Sequence, residues 1–487
     1  MTTFNLLQGD ALEKLKELAD NSIDSIVTDP PYGLSKQPDM LEVLQHWLAG
    51  DDYKHNGRGF MGKEWDSFVP GPSIWKECLR VLKPGGHMVA FFGTRTYDLG
   101  VVAIRIAGFE IRDQIAWVYG SGFPKSLNVA KAIESGGGRP EDIRRMQLGD
   151  DYKPSGRGRV NYDHGAGSNM NSGSVEWEPV TDAAKQWEGW GTALKPAFEP
   201  IVLARKPLSG TVAENVVEHG VGAINIDGCR VEGNESKSRE HEASQSRDYS
   251  TSGSVAFTSN AGAYIGGDPK GRFPANLIHD GSDEVVSLFP DSKGQLAPVN
   301  GTEKSHTGET GIYGTYGRTS FDKREETETS AARFFYCAKA SSADRDEGLD
   351  DFELKKAAGL PMRKAGVESV GEGLDGTKTF RDTKRKNIHP TVKPTELMRY
   401  LCRLITPPGG TILDPFTGSG STGKAAMYEG FNFVGVELMQ DHIEIAEARI
   451  AFAKKDAYEI SIGMKKTKAK KNEEPQESDV DITKFFG

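Results

Sequence analysis

Apolar and polar positions follow helix and strand periods at the two ends of this chain and lose them in between. FNLLQGD (4–10) reads as a strand ending in a polar loop. ALEKLKELA (11–19) puts Leu12, Leu15 and Leu18 on one helical face. SIDSIVTD (22–29) is a buried strand. SIWKECLRVLKPGG (73–86) predicts a helix with Ser73 as N-cap and Gly85-Gly86 as its stop. HMVAFFG (87–93) and FEIRDQIAWVY (109–119) predict two further strands. Periodicity then dissolves, apart from the short strand PIVLARKP (200–207) and the apolar islands FPANLI (273–278) and ARFFYCAKA (332–340). It resumes with a helix at PTELMRYLCRLI (394–405), with Pro394 near its start and PPGG ending it. The strand TILD (411–414), a helix over 421–429, the strand FVGVEL (433–438) and a helix over 441–455 follow. The pattern predicts one α/β domain contributed by both ends of the chain, a large irregular insert between them, and a disordered tail.

Composition fits that picture. Of 487 residues 37% are hydrophobic and 57 are glycine, many of them mid-chain, so a real core shares the chain with much loop. No apolar run approaches membrane-spanning length, and MTTFNLLQGDALEKLKEL carries no charged-then-apolar leader. Cys78, Cys229, Cys337 and Cys402 are far apart and form no ligand spacing; they read as free thiols in a reducing, cytoplasmic compartment. The net charge of −10 argues against a blanket polyanion binder but not against a local basic surface.

Two stretches carry chemistry. DPFTGSGSTG (414–423) follows a strand and holds Gly418, Gly420 and Gly423 in G-x-G-x-x-G spacing, with Glu437 downstream. That spacing is the fingerprint of a dinucleotide-binding loop, with glycines for the turn and an acid for a ribose. In SIVTDPPYG (25–33) a buried strand delivers Asp29 at its carboxyl end, where open α/β sheets bind ligands. Asp29 offers lone pairs, Pro30 a carbonyl, neither proline an N–H, and Tyr32 an aromatic face. A planar ring with an amino group can then donate one hydrogen to Asp29 and one to the Pro30 carbonyl, which frees the nitrogen lone pair. The structural alternative for the tetrad Asp29, Pro30, Pro31, Tyr32 is a proline-stiffened turn.

Taken as a pair, these two blocks resemble the β-class amino-methyltransferases of DNA, in which the DPPY block precedes the cofactor block. LLQGDALEKLKELADNSIDSIVTDPPYG (6–33), RVLKPGGHMVAFFG (80–93) and the run from IHPTVKP to FVGVEL (388–438) carry the resemblance. It implies a Rossmann-like mixed α/β sheet with S-adenosylmethionine as the cofactor. By the same resemblance, Asp414 and the loop Phe416, Thr417, Gly418 and Gly420 hold the methionine end. Glu437 takes the ribose hydroxyls, Asp10 the adenine amine, and Thr391 and Lys393 flank the cofactor. A nicotinamide-dependent dehydrogenase would leave DPPYG without a task and needs more sheet after the glycines. The resemblance implies direct methyl transfer to a nucleotide flipped from double-stranded DNA, with no metal, in a prokaryotic or phage-infected cell. The leading Asp favours adenine N6. Cytosine N4 is the alternative, and a catalytically silent DNA-binding regulator is the rival from another class.

The expected layout is a catalytic half at 1–120 with the strand 200–207, an insert at 121–385, a cofactor half at 386–455 and a tail at 456–487. The insert, chiefly 208–385, is expected to read the DNA sequence; a disordered insertion is the alternative. Basic candidates for phosphate contact are RDTKRK (381–386), Arg333, Lys339, Arg105 and Lys125. HNGRGFMGKEWDSF (55–68), with Arg58, Phe60, Lys63 and Trp65, is a candidate mobile clamp. The family is often dimeric, and the closing DITKFFG (481–487) resembles peptides that dock on sliding clamps or other replication partners, though Asp479 stands where Gln is common. A solvated low-complexity tail is the competing reading.

Overall fold

The computed structural model describes residues 2–34, 37–55, 66–122, 126–134, 179–231, 271–290, 330–338, 343–356, 370–372, 378–380 and 384–465. Its strands are β1 (Phe4–Gln8), β2 (Ile23–Thr28), β3 (Leu82–Phe91), β4 (Glu110–Val118), β5 (Phe198–Arg205), β6 (Leu277–His279), β7 (Tyr336–Cys337), β8 (Lys355–Lys356), β9 (Val370–Glu372), β10 (Lys378–Phe380), β11 (Lys384–Arg385), β12 (Thr411–Asp414) and β13 (Asn432–Glu437). Among the described residues, nine of them form one mixed sheet in the order β1-β13-β12-β2-β3-β5-β4-β6-β7. The pairs β8–β11 and β9–β10 stand apart as short antiparallel ladders.

The two ends of the chain interleave strand by strand. β13 pairs in parallel with β1 and β12, and β12 pairs in parallel with β2. Every residue of β2 is buried, as expected of an interior parallel strand covered on both faces. β5 runs antiparallel to β3, with Phe91 opposite Ile201 and His87 opposite Arg205. The first residues of β5 therefore reach the same rim as the last residues of β2, β3 and β12.

Leu15, Ile26, Trp75, Val81, Met88 and Phe92 are fully buried in one core cluster. Each such side chain stabilises the fold by about 1.5–3 kcal/mol. The helix Thr395–Ile405 is strongly amphipathic and buries Leu397, Met398, Leu401 and Leu404. Glu429, at the end of the helix Ser421–Glu429, accepts from Arg399 Nε and Arg403 Nε, both at 2.7 Å.

Three expectations shift. The helix predicted over 73–86 is Pro72–Val81, with Gly71 rather than Ser73 as N-cap. Pro72 fits the first helical position, and Asp52 supplies the missing acceptor by taking the Ser73 N–H at 3.1 Å. Gly85-Gly86 is not a helix stop. It lies inside β3, where the register against β2 shifts and Gly85 adopts φ +75°, so the chain passes straight from helix to strand. The helices Met40–Ala49, Tyr97–Ile106 and Val212–His219 add to the predicted set.

The chain divides into two compact units. The larger holds Met1–Trp117, Glu199–Asp280 and Phe289–Gly487; the smaller holds Val118–Phe198 and Gly281–Leu288. The smaller unit contains the helices Val129–Glu134 and Asp182–Gln186, joined where Glu134 accepts from the Thr181 N–H at 3.2 Å. Its Trp187 and Trp190 rings meet edge to face at 5.1 Å. Cys78, Cys229 and Cys402 are buried free thiols, and burial raises the Cys229 thiol to about 12. The clamp residues Arg58, Phe60, Lys63 and Trp65, along with Lys125, Lys339, Arg381 and the DITKFFG tail, lie outside the described residues.

Candidate active site

The carboxyl ends of four adjacent parallel strands each present an acid or lead into one. β1 leads into Gly9-Asp10, β13 ends in Glu437, β12 ends in Asp414, and β2 leads into Asp29. The central pair is tied directly. Thr28 Oγ1 donates to Asp414 Oδ1 at 2.7 Å, and both residues are buried. The DPPY tetrad and the glycine loop thus sit side by side, although their sequences are nearly four hundred residues apart (|i−j| = 386 for the hydrogen bond).

The loop after β12 is built from backbone donors. Phe416 N donates to Asp414 Oδ1 at 3.0 Å, Thr417 N to the Val436 carbonyl at 2.9 Å, and Gly418 N to Glu437 Oε2 at 2.9 Å. Gly418 and Gly420 adopt φ +54° and +79°. A Cβ on Gly418 would lie 2.8 Å from His389 Nε2, and one on Gly420 would lie 3.0 Å from Ala446 Cα. Glycine is required at both positions by conformation and by space. The fully buried Arg449 braces the loop from below through the Ser419 carbonyl and its hydroxyl. Phe416 meets Trp75 edge to face at 6.3 Å. Burial raises the Asp414 carboxyl to about 6, against the hydroxyls of Thr422 and Thr28 and the Phe416 N–H, which favour its charged form.

Glu437 Oε1 accepts from the Met439 N–H at 2.8 Å and faces His442 Nδ1 at 3.3 Å, while Oε2 takes the Gly418 N–H and keeps a further lone pair. Asp10 is exposed and caps the helix Ala11–Lys16 by accepting from the Glu13 N–H at 3.2 Å. Gly9 N donates to the Glu437 carbonyl at 3.0 Å, which holds Asp10 near that acid.

The tetrad loop is equally fixed. Tyr32 N and Gly33 N both donate to Asp66 Oδ1, at 2.9 and 3.2 Å, and Thr96 Oγ1 donates to the Tyr32 carbonyl at 2.6 Å. Pro30 is buried, while Pro31 and Tyr32 are half-buried. Asp29 Oδ1 is buried without a hydrogen bond of good geometry, and Lys393 Nζ stands 3.2 Å from it as an ion pair. Burial raises the Asp29 carboxyl, Lys393 opposes that rise, and the charge of Glu199 adds to it.

The HPTVKP segment spans both halves of the site. His389 packs at Gly418, and its Nδ1 lies 2.5 Å from the Thr391 carbonyl; Thr391 itself is exposed. Four residues beyond His389, Lys393 stands at the tetrad. Its ammonium donates to Glu199 Oε2 at 2.7 Å and to the Tyr32 hydroxyl at 2.9 Å. Sequence reasoning missed Glu199, Thr28 and Asp66. Thr28 was visible as the hydroxyl before DPPY, and Glu199 as an acid at the head of an apolar strand.

The sequence profile of the DNA methylase family matches residues 23–136 and 312–448. The chain is 25% identical over 242 residues to the Type II methyltransferase M.HindIII of Haemophilus influenzae, covering 45% of this chain and 64% of that protein. It is 32% identical over 147 residues to the Type II methyltransferase M.HinfI of Haemophilus influenzae, covering 30% of this chain and 38% of that one. The matched stretch spans less than two thirds of either relative, at 64% and 38%. Among solved structures, the cytosine-N4-specific PvuII DNA methyltransferase aligns over 95% of this chain and 94% of its own at 12% identity, with a TM-score of 0.38, too low to bear on fold or reaction.

Proposed function

The chain belongs to the DNA methylase family, and on that premise we propose that it transfers a methyl group from S-adenosylmethionine to the exocyclic amine of a base in double-stranded DNA, with adenine N6 as the target. The observation that carries this reading is the pairing of β2 with β12, which sets the DPPY acceptors beside the glycine loop.

The residues present fit that cofactor. Gly418 and Gly420 leave bare backbone where any side chain would collide, and Glu437 Oε2 keeps acceptor capacity for a hydroxyl. Asp414, Phe416, Thr417, Gly418, Gly420 and Glu437 would hold it, with Asp10 on the adenine amine and Thr391 at the flank. When bound, S-adenosylmethionine supplies an electrophilic methyl group on a sulfonium, so no covalent enzyme intermediate is required. Asp29 Oδ1 and the Pro30 carbonyl accept the two amine hydrogens and turn the nitrogen lone pair outward. Tyr32, locked through Asp66, Thr96 and Glu199, offers its face to a base flipped from the duplex. Burial strengthens Asp29 as an acceptor by disfavouring its bare charge. The adenine assignment rests on Asp, rather than a hydroxyl residue, leading the tetrad. Among the described residues no helix is long and apolar enough to cross a membrane.

The test is expression in a host lacking DNA methylation, followed by long-read mapping of modified bases. Methyl-adenine at one defined sequence is expected, with Asp29→Ala losing the mark while S-adenosylmethionine binding in calorimetry persists. Modification of cytosine alone overturns the adenine assignment, and no modification overturns the enzyme reading.

A further inference from the structure

We propose that Glu199 and Lys393 form a positioning pair for the tetrad, in which Glu199 draws the Lys393 ammonium towards itself so that Asp29 keeps a lone pair open for the incoming amine. The proposal rests on the methyl-transfer reading above and deepens it.

Geometry sets up an unequal competition. One ammonium faces two carboxylates, at 2.7 Å from Glu199 Oε2 and 3.2 Å from Asp29 Oδ1. All three side chains are largely buried: 8% of Lys393, 20% of Glu199 and 19% of Asp29 is exposed. The shorter contact ties the ammonium to Glu199 and leaves Asp29 the less engaged of the two acceptors. Lys393 remains charged in this enclosure because Asp29 and Glu199 together outweigh the burial that lowers its pKa, so the net shift is upward. The Phe91, Tyr32 and Trp117 rings, at 4.7, 5.3 and 5.9 Å, add favourable faces. The Tyr32 hydroxyl closes the set by accepting from Lys393 at 2.9 Å and donating to Glu199 at 3.0 Å. The stacking ring and the acceptor oxygen are thereby set by the same pair.

Topology explains why this acid is available. β5 is antiparallel to β3, so its second residue, not its last, arrives at the rim. With Glu199 uncharged, Lys393 is left with Asp29 as its one carboxylate. The ammonium then occupies the acceptor's lone pair, and the Asp29 pKa falls because the Glu199 charge no longer adds to it. The charged and titratable groups facing Asp29 are Lys393, Glu199 from β5, Tyr32 from its own loop and Asp414 from β12.

The experiment compares wild type, Glu199→Gln and Glu199→Asp on a duplex carrying the mapped site. It measures single-turnover rate against pH, S-adenosylmethionine affinity by calorimetry, and the melting midpoint of the cofactor-free protein against pH. Expected for Glu199→Gln are a rate loss of about a hundredfold, an acid limb moved to lower pH and unchanged cofactor affinity. In the cofactor-free protein, the fall in midpoint that accompanies Asp29 ionisation moves to lower pH as well. Glu199→Asp, which keeps the charge, recovers part of the rate. An unaltered rate and acid limb in Glu199→Gln overturns the proposal. So does equal impairment of the Gln and Asp variants, or a parallel loss of cofactor affinity. Wild type that methylates no DNA sinks the methyl-transfer reading itself, whereas an unshifted pH–melting profile in Glu199→Gln sinks the pair alone.

Discussion

Replacing Thr28 with Val removes one hydroxyl and almost no volume, so it isolates the hydrogen bond that joins the two halves of the site. That bond is 2.7 Å long, between two buried residues, and its acceptor is a carboxylate. Hydrogen bonds to charged groups contribute about 1.5–3 kcal/mol, and leaving a buried acceptor short of a donor costs a similar amount. Asp414 retains the Phe416 N–H and the Thr422 hydroxyl, so the loss is bounded at about 3 kcal/mol rather than the cost of a bare buried charge. The pH dependence has a fixed sign. The Thr28 hydroxyl favours the ionised form of Asp414, whose folded pKa is raised to about 6, so its removal raises that pKa further. The unfolded chain is the same in both proteins, so the destabilisation grows as pH rises through about 6 and is smallest at pH 5. Urea unfolding followed by far-ultraviolet circular dichroism at pH 5 and pH 8 measures it, with calorimetric cofactor binding alongside. An equal loss at both pH values, or a loss under about 0.5 kcal/mol, would refute the reasoning that this bond couples tetrad and loop.

Gly420→Ala forces a side chain into φ +79° with its Cβ 3.0 Å from Ala446 Cα. It should lower stability by about 1–3 kcal/mol and weaken cofactor binding by at least about tenfold, read by thermal melting and calorimetry; wild-type values in both would remove the requirement for glycine. His87, buried in β3 beside Arg205, has its pKa lowered to about 4 by burial, with Arg205 and Arg112 adding to the effect. As pH falls from about 6.5 towards 4, the unfolded chain takes up a proton that the folded one refuses, and stability drops by up to about 3 kcal/mol. His87→Leu should lose that component, so its melting midpoint falls less than that of wild type between pH 7 and pH 4.5; parallel curves would exclude His87 as the cause.

Much of the fold was legible because it is written in local periodicity. Leu12 and Leu15 announced the first helix, which stops at Lys16 rather than running to 19 and so leaves Leu18 beyond it, and Ile23, Ile26 and Val27 announced β2 as a buried strand. Even the helix Val212–His219 carried its signal, the Thr211–Glu214 capping box, within a stretch that composition alone makes look irregular. The start of the helix Pro72–Val81 was not local, because its acceptor, Asp52, comes from another segment. Gly85-Gly86 misled for a related reason. Paired glycines end helices and also permit bulges, and only the register of β3 against β2 decides which.

The residue types of the candidate site are written in the chain itself. Asp29, Tyr32, Asp414, Gly418, Gly420 and Glu437 stand in short blocks whose chemistry can be read without coordinates. The partners were decided by tertiary structure. Lys393 reads as a residue flanking the glycine loop yet lies against Asp29, and Glu199 carries no motif at all. The reason is that motifs record chemistry along the chain, while an ion pair depends on where strands end. Parallel strands bring their carboxyl ends to the rim, and one antiparallel strand brings its first residues there instead. That reversal of direction places Glu199 2.7 Å from a lysine 194 positions away in sequence.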